Sequence, residues 1–117
     1  MSVDFGRLNI DSSGNAETFA SDLATDSAIR PESRVTAIAF HAPKANSGNV
    51  YVGRLGRDKS TSMVSSTYGW TLEPGDSFPL NDINEIFSNF EGDAATSGDD
   101  IEWVASFEAS SQKKVAS

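Results

Sequence analysis

The sequence of 117 residues contains no cysteine and only one histidine, His41. Without thiols the chain cannot form disulfides, use a nucleophilic cysteine, or bind zinc or an iron–sulfur cluster through cysteine. One histidine cannot build a multi-histidine zinc site, and any Ser–His–Asp arrangement would have to include His41. Because the sequence has no Gly-x-Ser-x-Gly nucleophile motif, we interpret His41 as a structural or interface residue. We therefore expect a protein that is not an enzyme and has no cofactor.

Basic residues and long apolar runs are also scarce. The chain has 9 Lys and Arg against 17 Asp and Glu, a net charge of −8. Phosphate backbones and anionic lipids repel such a surface, so we expect no nucleic-acid partner and no membrane partner. No apolar run reaches the roughly 18 residues that a membrane helix needs. The length fits one domain with its own core.

Ser and Thr together account for 25 residues, and this composition favours strands and turns. Strand patterns occupy 35–42, 50–55, 61–65, 70–72, 77–80, 85–90 and 101–108, with one or two more before residue 30. Short strands at this spacing predict an all-β, single-domain antiparallel β-sandwich or jelly-roll-like barrel. We expect residues 1–33 to form a polar N-terminal arm with the first short strand or two, 34–110 the sandwich core, and 111–117 a polar tail.

Two strands have the clearest patterns. Segment 35–42 is largely apolar on both faces, which predicts a central strand whose second face is covered by another sheet or by a partner subunit. Its faces are Thr36, Ile38, Phe40 and Ala42, and Val35, Ala37, Ala39 and His41. Segment 101–108 alternates strictly, which predicts one core face and one wet face. Its core face is Ile101, Trp103, Ala105 and Phe107, and its wet face is Glu102, Val104, Ser106 and Glu108.

Segment 81–90 fits a helix through its apolar spacing and a capping box, and it fits a strand over 85–90 nearly as well. The acidic stretch 91–100 is interpreted as a solvated loop. Carboxylates of Asp93, Asp99 and Asp100 are a weaker candidate for a metal site, because Ca²⁺ binds such oxygens but the spacing does not match an EF-hand.

Aromatic and arginine residues suggest two candidate binding sites. Tyr68 and Trp70 lie beside a turn and are candidates for stacking on a sugar ring, although packing is the simpler interpretation. Arg54 and Arg57 lie in the glycine-containing segment Gly53-Arg54-Leu55-Gly56-Arg57, where they suit a solvent loop or a contact with an acidic partner. Six of the nine basic residues lie in 30–59, and we expect one loop end of the sandwich to be basic or mixed and the other acidic.

An ordered series of short motifs runs from Arg34 to Val104. In chain order its pieces are Val35-Thr36-Ala37-Ile38-Ala39-Phe40-His41-Ala42, Asn46 to Gly48, Val50-Tyr51-Val52-Gly53, Gly69-Trp70-Thr71-Leu72-Glu73-Pro74-Gly75-Asp76-Ser77, Ile83-Asn84-Glu85-Ile86-Phe87 and Gly98-Asp99-Asp100-Ile101-Glu102-Trp103-Val104. This series resembles the small β-sandwich virion proteins of tailed bacteriophages, and it covers about 70 of the 117 residues.

The resemblance implies a non-enzymatic capsid decoration (cement) protein that binds the major capsid protein. It also implies a homo-oligomer, expected to be a trimer, located on the capsid surface of the virion and in the host cytoplasm before assembly. A phage tail or neck accessory protein is one alternative, and a carbohydrate-binding or receptor-binding module is another. The residues expected at the capsid or oligomer interface are Phe5, Leu8, Ile10 and Phe19 in the arm, together with Phe40, His41, Arg54 and Arg57. We expect removal of residues 1–15 to abolish capsid binding while leaving the fold intact.

Overall fold

The computed structural model describes residues 2–54 and 70–108, without the side chain of Arg54. These residues form nine strands and two short 3-10 helices, Phe19–Asp22 and Phe87–Asn89, with no α-helix among them. The strands are β1 (Ser2–Asn9), β2 (Glu17–Thr18), β3 (Arg34–His41), β4 (Val50–Arg54), β5 (Trp70–Leu72), β6 (Ser77–Leu80), β7 (Glu85–Ile86), β8 (Phe90–Ala94) and β9 (Asp100–Phe107). The predicted strand 61–65 and the predicted tail 111–117 lie outside the described residues.

The strands form two antiparallel sheets. The five-stranded sheet has the order β1-β9-β3-β6, with β7 also pairing with β3. The four-stranded sheet has the order β2-β8-β4-β5. The two sheets pack face to face, which confirms the predicted all-β sandwich. Neither helix in the described part is long and apolar enough to span a membrane.

The core lies between the inner faces of the two sheets. It contains buried side chains from both, among them Leu8, Ile38, Phe40, Val52, Phe90, Ile101 and Trp103. Strand β9 shows the predicted alternation, with Ile101, Trp103, Ala105 and Phe107 buried and their neighbours more exposed. Trp103 is therefore a core residue. The 73–76 turn also forms as predicted: Gly75 has φ +96°, and the backbone N–H of Asp76 donates to Glu73 O at 2.9 Å.

Strand β3 differs in one detail from the predicted two-faced pattern. Its register with β9 shifts between Val35 and Ala37. A bulge of this kind changes the face to which the following residues point. Val35 is therefore fully buried in the core, whereas Ala37 and Ala39 are only partly buried and lie on the opposite face.

Residues 2–33 contain the one or two strands expected before residue 30, namely β1 and β2, but the prediction that this segment is an arm is wrong. Strand β1 pairs with β9 over its full length, from Ser2↔Phe107 to Asn9↔Asp100. The polar residues that suggested an arm have structural partners, because Asp4 Oδ2 accepts the backbone N–H groups of residues 28 and 29 at 2.9 and 3.1 Å. Removing residues 1–15 would delete a strand of the five-stranded sheet, so the expectation of an intact fold is also wrong.

Segment 81–90 forms neither the predicted helix nor a single strand from 85 to 90. Strand β7 is followed by the second 3-10 helix and then by β8. Strand β8 extends into the stretch interpreted as a solvated loop, and all five of its residues are buried. A loop was expected because Glu91, Gly92 and Asp93 are poor strand formers. Their placement is decided by packing, since Gly92 lets side chains of the facing sheet approach the backbone of β8.

Candidate protein-contact surface

The outer face of the five-stranded sheet carries a row of apolar residues. Phe5, Val104, Ala39 and Pro79 are register partners on β1, β9, β3 and β6. We call these four residues the apolar row. Phe5 is 76% exposed and Val104 is 43% exposed. In a sandwich the outer face normally carries polar side chains, so a row of this kind is a feature that needs a functional explanation.

A second, parallel row extends the apolar area. Val3, which is 62% exposed, is the register partner of Ser106, and Ser106 is the partner of Ala37. The small side chains of Ala37 and Ala39 leave a shallow groove along β3. One part of this groove has a volume of about 280 Å³ beside Ala39, and another has about 140 Å³ beside Ala37. The side chains of β1 therefore project further from the sheet than those of β3.

Polar residues border the apolar row on the other side. Arg7 Nη2 donates to Glu102 Oε2 at 2.7 Å, and Arg7 Nη1 lies 3.6 Å from Asp100 Oδ2. Glu102 Oε1 is 4.0 Å from His41 Nε2, and His41 Nδ1 is 2.9 Å from Ser77 Oγ. The hydrogen bond that Arg7 donates to Glu102 and the charge of Asp100 raise the pKa of Arg7 above its ordinary value. We call Arg7, Glu102, His41 and Ser77 the polar row.

The polar row places a serine, a histidine and a carboxylate side by side on neighbouring strands. Their geometry does not suit nucleophilic catalysis. The 4.0 Å between Glu102 and His41 exceeds hydrogen-bond distance, and Glu102 instead binds Arg7. Backbone N–H groups of paired strands lie in the plane of the sheet, so they cannot converge on an oxyanion above Ser77. The polar row is better explained as the hydrophilic border of a contact surface.

The structure separates the residues that were predicted to form an interface. Phe5 and His41 lie on the outer face described above. Four others are fully buried in the core, so their prediction as interface residues is wrong: Leu8, Ile10, Phe19 and Phe40. Each packs between the sheets, where an apolar side chain gains more from core burial than from an open surface.

The sheet that carries this outer face is not the sheet that contains Arg54. Arg54 is the last residue of β4 in the other sheet, and Arg57 lies outside the described residues. Sequence reasoning missed Val3, Val104 and Pro79. The signal for Val104 was present, because an apolar residue interrupts the otherwise polar wet face of β9.

The proposed carboxylate set does not come together as a metal site. Asp99 accepts two backbone N–H groups of loop 43–49, at 3.0 Å each. Asp93 accepts the backbone N–H of Gly14 at 3.0 Å, and Asp100 accepts a side-chain amide of β1 at 2.8 Å. Within 2–54 and 70–108, no group of three or more acidic or histidine side chains could hold a metal ion. Asp99 and Asp93 therefore bind loop backbone, and Asp100 binds a residue of β1.

Glu17 on β2 is the acidic residue whose titration the fold changes most clearly. Burial raises the pKa of Glu17, and the hydrogen bond from the backbone N–H of Asp11, 3.1 Å long, opposes this by lowering it. The nearby charges of Asp11, Asp22 and Asp93 raise it further. Burial of Glu17, with a smaller contribution from its acidic neighbours, therefore makes the ionised carboxylate unfavourable at this end of the four-stranded sheet.

Trp70 is the described member of the predicted aromatic pair, since Tyr68 lies outside the described residues. The Trp70 ring is 47% exposed and stacks on Phe78, with ring centroids 4.6 Å apart. It borders a groove of about 370 Å³. The other lining residues are Leu80, Ile83, Asn84, Glu85 and Phe90. One face of the Trp70 ring is thus occupied by packing, and the groove lies at the edge between the two sheets.

The basic end expected from residues 30–59 can be followed in the described residues only through Arg30, Arg34 and Lys44, because Arg57 and Lys59 lie outside them. Arg34 Nη1 donates to Asn84 Oδ1 at 2.9 Å. The side chain of Lys44 lies beside the 73–76 turn. A Cβ atom added to Gly75 would be 3.4 Å from Lys44 Cγ. Because β3 runs between Arg34 and Lys44, these two cations lie at opposite ends of the sandwich.

Comparisons of the chain with protein-family models, with curated proteins and with solved structures give no match. A functional proposal for this β-sandwich therefore rests on its surface and on the ordered motifs of its sequence.

Proposed function

We propose that this protein is a non-enzymatic structural subunit that acts through the outer face of its five-stranded sheet, buried against another protein. The observation that carries the proposal is the apolar row, with Phe5 76% exposed at one end of it. Burying a phenylalanine side chain stabilises a contact by about 1.5–3 kcal/mol. Apolar patches bordered by polar residues are typical of protein–protein contacts, and the polar row provides such a border.

The shape of the face also favours a protein partner. Small molecules bind in enclosed pockets that bury most of the ligand, whereas this face is a sheet with a shallow groove along Ala37 and Ala39. An open surface of this kind gains free energy by contacting another extended surface. A subunit of a larger assembly meets that requirement.

The more specific proposal is a capsid decoration protein of a tailed bacteriophage that binds the major capsid protein as a homo-oligomer. It is supported by the ordered motifs between Arg34 and Val104, and by the net charge of −8, which keeps free subunits soluble before assembly. In this proposal the protein is located on the capsid surface, and in the host cytoplasm before assembly. A tail or neck fitting is the same kind of function at another place in the particle.

Particle fractionation tests the specific proposal. Tailed phage particles purified from the source culture should contain the chain by mass spectrometry, and a cryo-EM reconstruction should place it on the head. Density in the tail or neck would replace the decoration role with the fitting role. Purified particles without the chain would contradict any virion role.

A charge on the apolar row tests the coarser proposal. Ala39→Glu puts a carboxylate at the centre of the face, and we expect it to abolish co-sedimentation with particles stripped of the protein. Thr71→Glu is the matched control, because Thr71 is exposed on β5 of the other sheet. Both variants should keep the wild-type far-UV circular dichroism and melting temperature. Equal binding by the two variants would show that the face does not contribute to binding the particle.

A sugar-binding function is the second candidate, and the half-exposed Trp70 beside a groove of about 370 Å³ favours it. Aromatic rings stack on the apolar faces of sugars, and the side-chain amide of Asn84 lines the same groove. A glycan array should then give a signal that Trp70→Ala removes. No signal for the wild-type protein would end this alternative.

A further inference from the structure

We propose that the protein covering the outer face of the five-stranded sheet is a second copy of this chain, in a two-fold, face-to-face contact. The inference rests on the proposed function in one respect, namely that this face is a protein contact. It adds the identity of the partner and the register of the contact. The argument depends on how side-chain size is distributed over three neighbouring strands.

Side-chain size falls steadily across β1, β9 and β3. In the apolar row the order is Phe5, Val104 and Ala39. Neighbouring strands are spaced evenly, about 4.8 Å apart, so β1 and β3 lie at equal distances on the two sides of β9. The face therefore has a ridge on one side of β9 and a groove on the other.

A two-fold axis that runs parallel to β9, above Val104, makes this face complementary to itself. Rotation about such an axis exchanges the two sides of β9 and keeps the position along the strand. Phe5 of one copy then lies over Ala39 of the partner, and the reverse contact forms at the same time. Two-fold contacts between identical chains have this reciprocal character.

The neighbouring rows obey the same relation. Val3, which is 62% exposed, lies over the partner's Ala37, so a second large side chain meets a small one. On the polar side, Arg7 lies over the partner's His41, next to the partner's Glu102. The Arg7 side chains of the two copies then lie beside the two Glu102 carboxylates, which approach each other at the axis. The attraction between arginine and glutamate offsets the repulsion between the two carboxylates.

Side-by-side pairing through the edge of β1 is disfavoured by the chain itself. Two backbone N–H groups on that edge already bind carboxylates: Phe5 N donates to Asp4 Oδ1 at 2.8 Å, and Asn9 N donates to Asp22 Oδ2 at 2.9 Å. Natural sheets block edge pairing with charged groups of this kind. The edge is protected while the face stays open, which favours face-to-face contact over extension of the sheet.

The size of the face sets the strength of the contact. Three strands of eight residues each cover about 400 Å² per copy at standard strand dimensions, and about 800 Å² in total is the size of a weak, transient interface. Two copies with a charge of −8 each also repel one another. Salt screens this repulsion, so we expect a dimer that forms at high protein concentration and is strengthened by added salt.

Sedimentation equilibrium tests the oligomeric state of the full chain. From about 10 μM to about 1 mM, the range in which a contact of this size dissociates, the mass should rise from 12.5 kDa towards twice that value. Ala39→Glu should remain monomeric, Phe5→Ala should weaken association at least tenfold, and Thr71→Glu should behave as wild type. A monomer throughout the range would overturn the inference. A trimer, as the sequence resemblance implies, would overturn it as well, because a three-fold contact is not reciprocal.

Crosslinking tests the register. The chain has no native cysteine, so Phe5→Cys and Ala39→Cys can be mixed and treated with a bismaleimide whose spacer is about 8 Å, matched to the spacing of packed sheets. The mixture should give a crosslinked dimer, and each variant alone should give little. If either cysteine variant alone crosslinked as efficiently as the mixture, the two-fold axis above Val104 would be refuted.

The two proposals fail differently. A monomeric protein that still needs Ala39 for binding to particles would retain the proposed function and refute the dimer. A dimer of the expected register that never binds a particle would retain the dimer and refute the capsid role.

Discussion

Replacing Gly92 with alanine tests the packing of the two sheets against each other. Gly92 lies on β8 of the four-stranded sheet, and a Cβ there would be 2.6 Å from Ile101 Cδ1 and 3.0 Å from Leu8 Cδ2. Both of those side chains belong to the facing sheet. The first distance is one that real Cβ atoms essentially never show, so the sheets or the side chains must shift.

The expected loss of stability follows from two opposing effects. Overpacking a core costs about 1–3 kcal/mol. Alanine also restricts the unfolded chain more than glycine does, which stabilises the protein by about 0.4–1 kcal/mol where the backbone conformation is compatible. Gly92 is not among the residues with positive φ. Gly92→Ala should therefore destabilise the fold by about 1–2 kcal/mol.

A double-mutant cycle separates a steric clash from other causes. Ile101→Val removes the Cδ1 atom that the new methyl group meets, and alone it should cost about 0.5–1.5 kcal/mol. The double variant should be more stable than the sum of the two single effects predicts, by at least about 0.5 kcal/mol. Urea unfolding followed by Trp fluorescence measures all four proteins, and the m-value should not change. Additive effects, or a neutral Gly92→Ala, would refute the face-to-face packing of these residues.

Three further predictions concern single residues. Gly6→Ala should destabilise the fold and alter the near-UV circular dichroism of Trp103, because a Cβ at Gly6 would be 2.7 Å from the Trp103 ring; an unchanged spectrum would contradict this packing. Asp99→Ala should cost about 2–3 kcal/mol in urea unfolding, since it removes two charge-assisted hydrogen bonds to loop 43–49, and Asp99→Asn should cost less. Folding raises the pKa of Glu17 above its value of 4.5 in the unfolded chain. The stability that the protonated Glu17 carboxyl contributes is therefore full below pH 4.5 and is lost as the pH rises through the pKa of the folded protein. Raising the pH from about 4 to about 7 should therefore destabilise wild type relative to Glu17→Gln, and parallel pH profiles would argue against the raised pKa.

The sequence predicted the fold class because several strands have a regular pattern. In β9 every second residue is apolar, and that alternation alone identifies both its faces. The pattern fails in β8, where Glu91 and Asp93 are buried by tertiary contacts that no local signal records. It also fails in the first third of the chain, because Asp4 serves loop residues that are about 25 positions away in sequence.

The candidate surface was predictable only in part. The two apolar faces of β3 indicated that its second face needs a cover, and the structure places Ala37 and Ala39 on that open face. The apolar row could not be derived, because it depends on which strands are neighbours. Phe5 and Val104 are nearly 100 residues apart in sequence, and only the pairing of β1 with β9 brings them together.

That pairing has a consequence for how the chain folds and how it can be rearranged. Ser2 and Phe107 are register partners, so the five-stranded sheet closes a chain loop of more than 100 residues. Contacts over such a separation form slowly, and a chain leaving the ribosome cannot complete this sheet before β9 has emerged. The same adjacency allows a short linker to join the outer ends of β1 and β9, with new termini opened in an exposed turn such as 73–76. Such a circular permutant would convert the slowest pairing of the fold into a local hairpin, and it should refold faster than the natural order of strands.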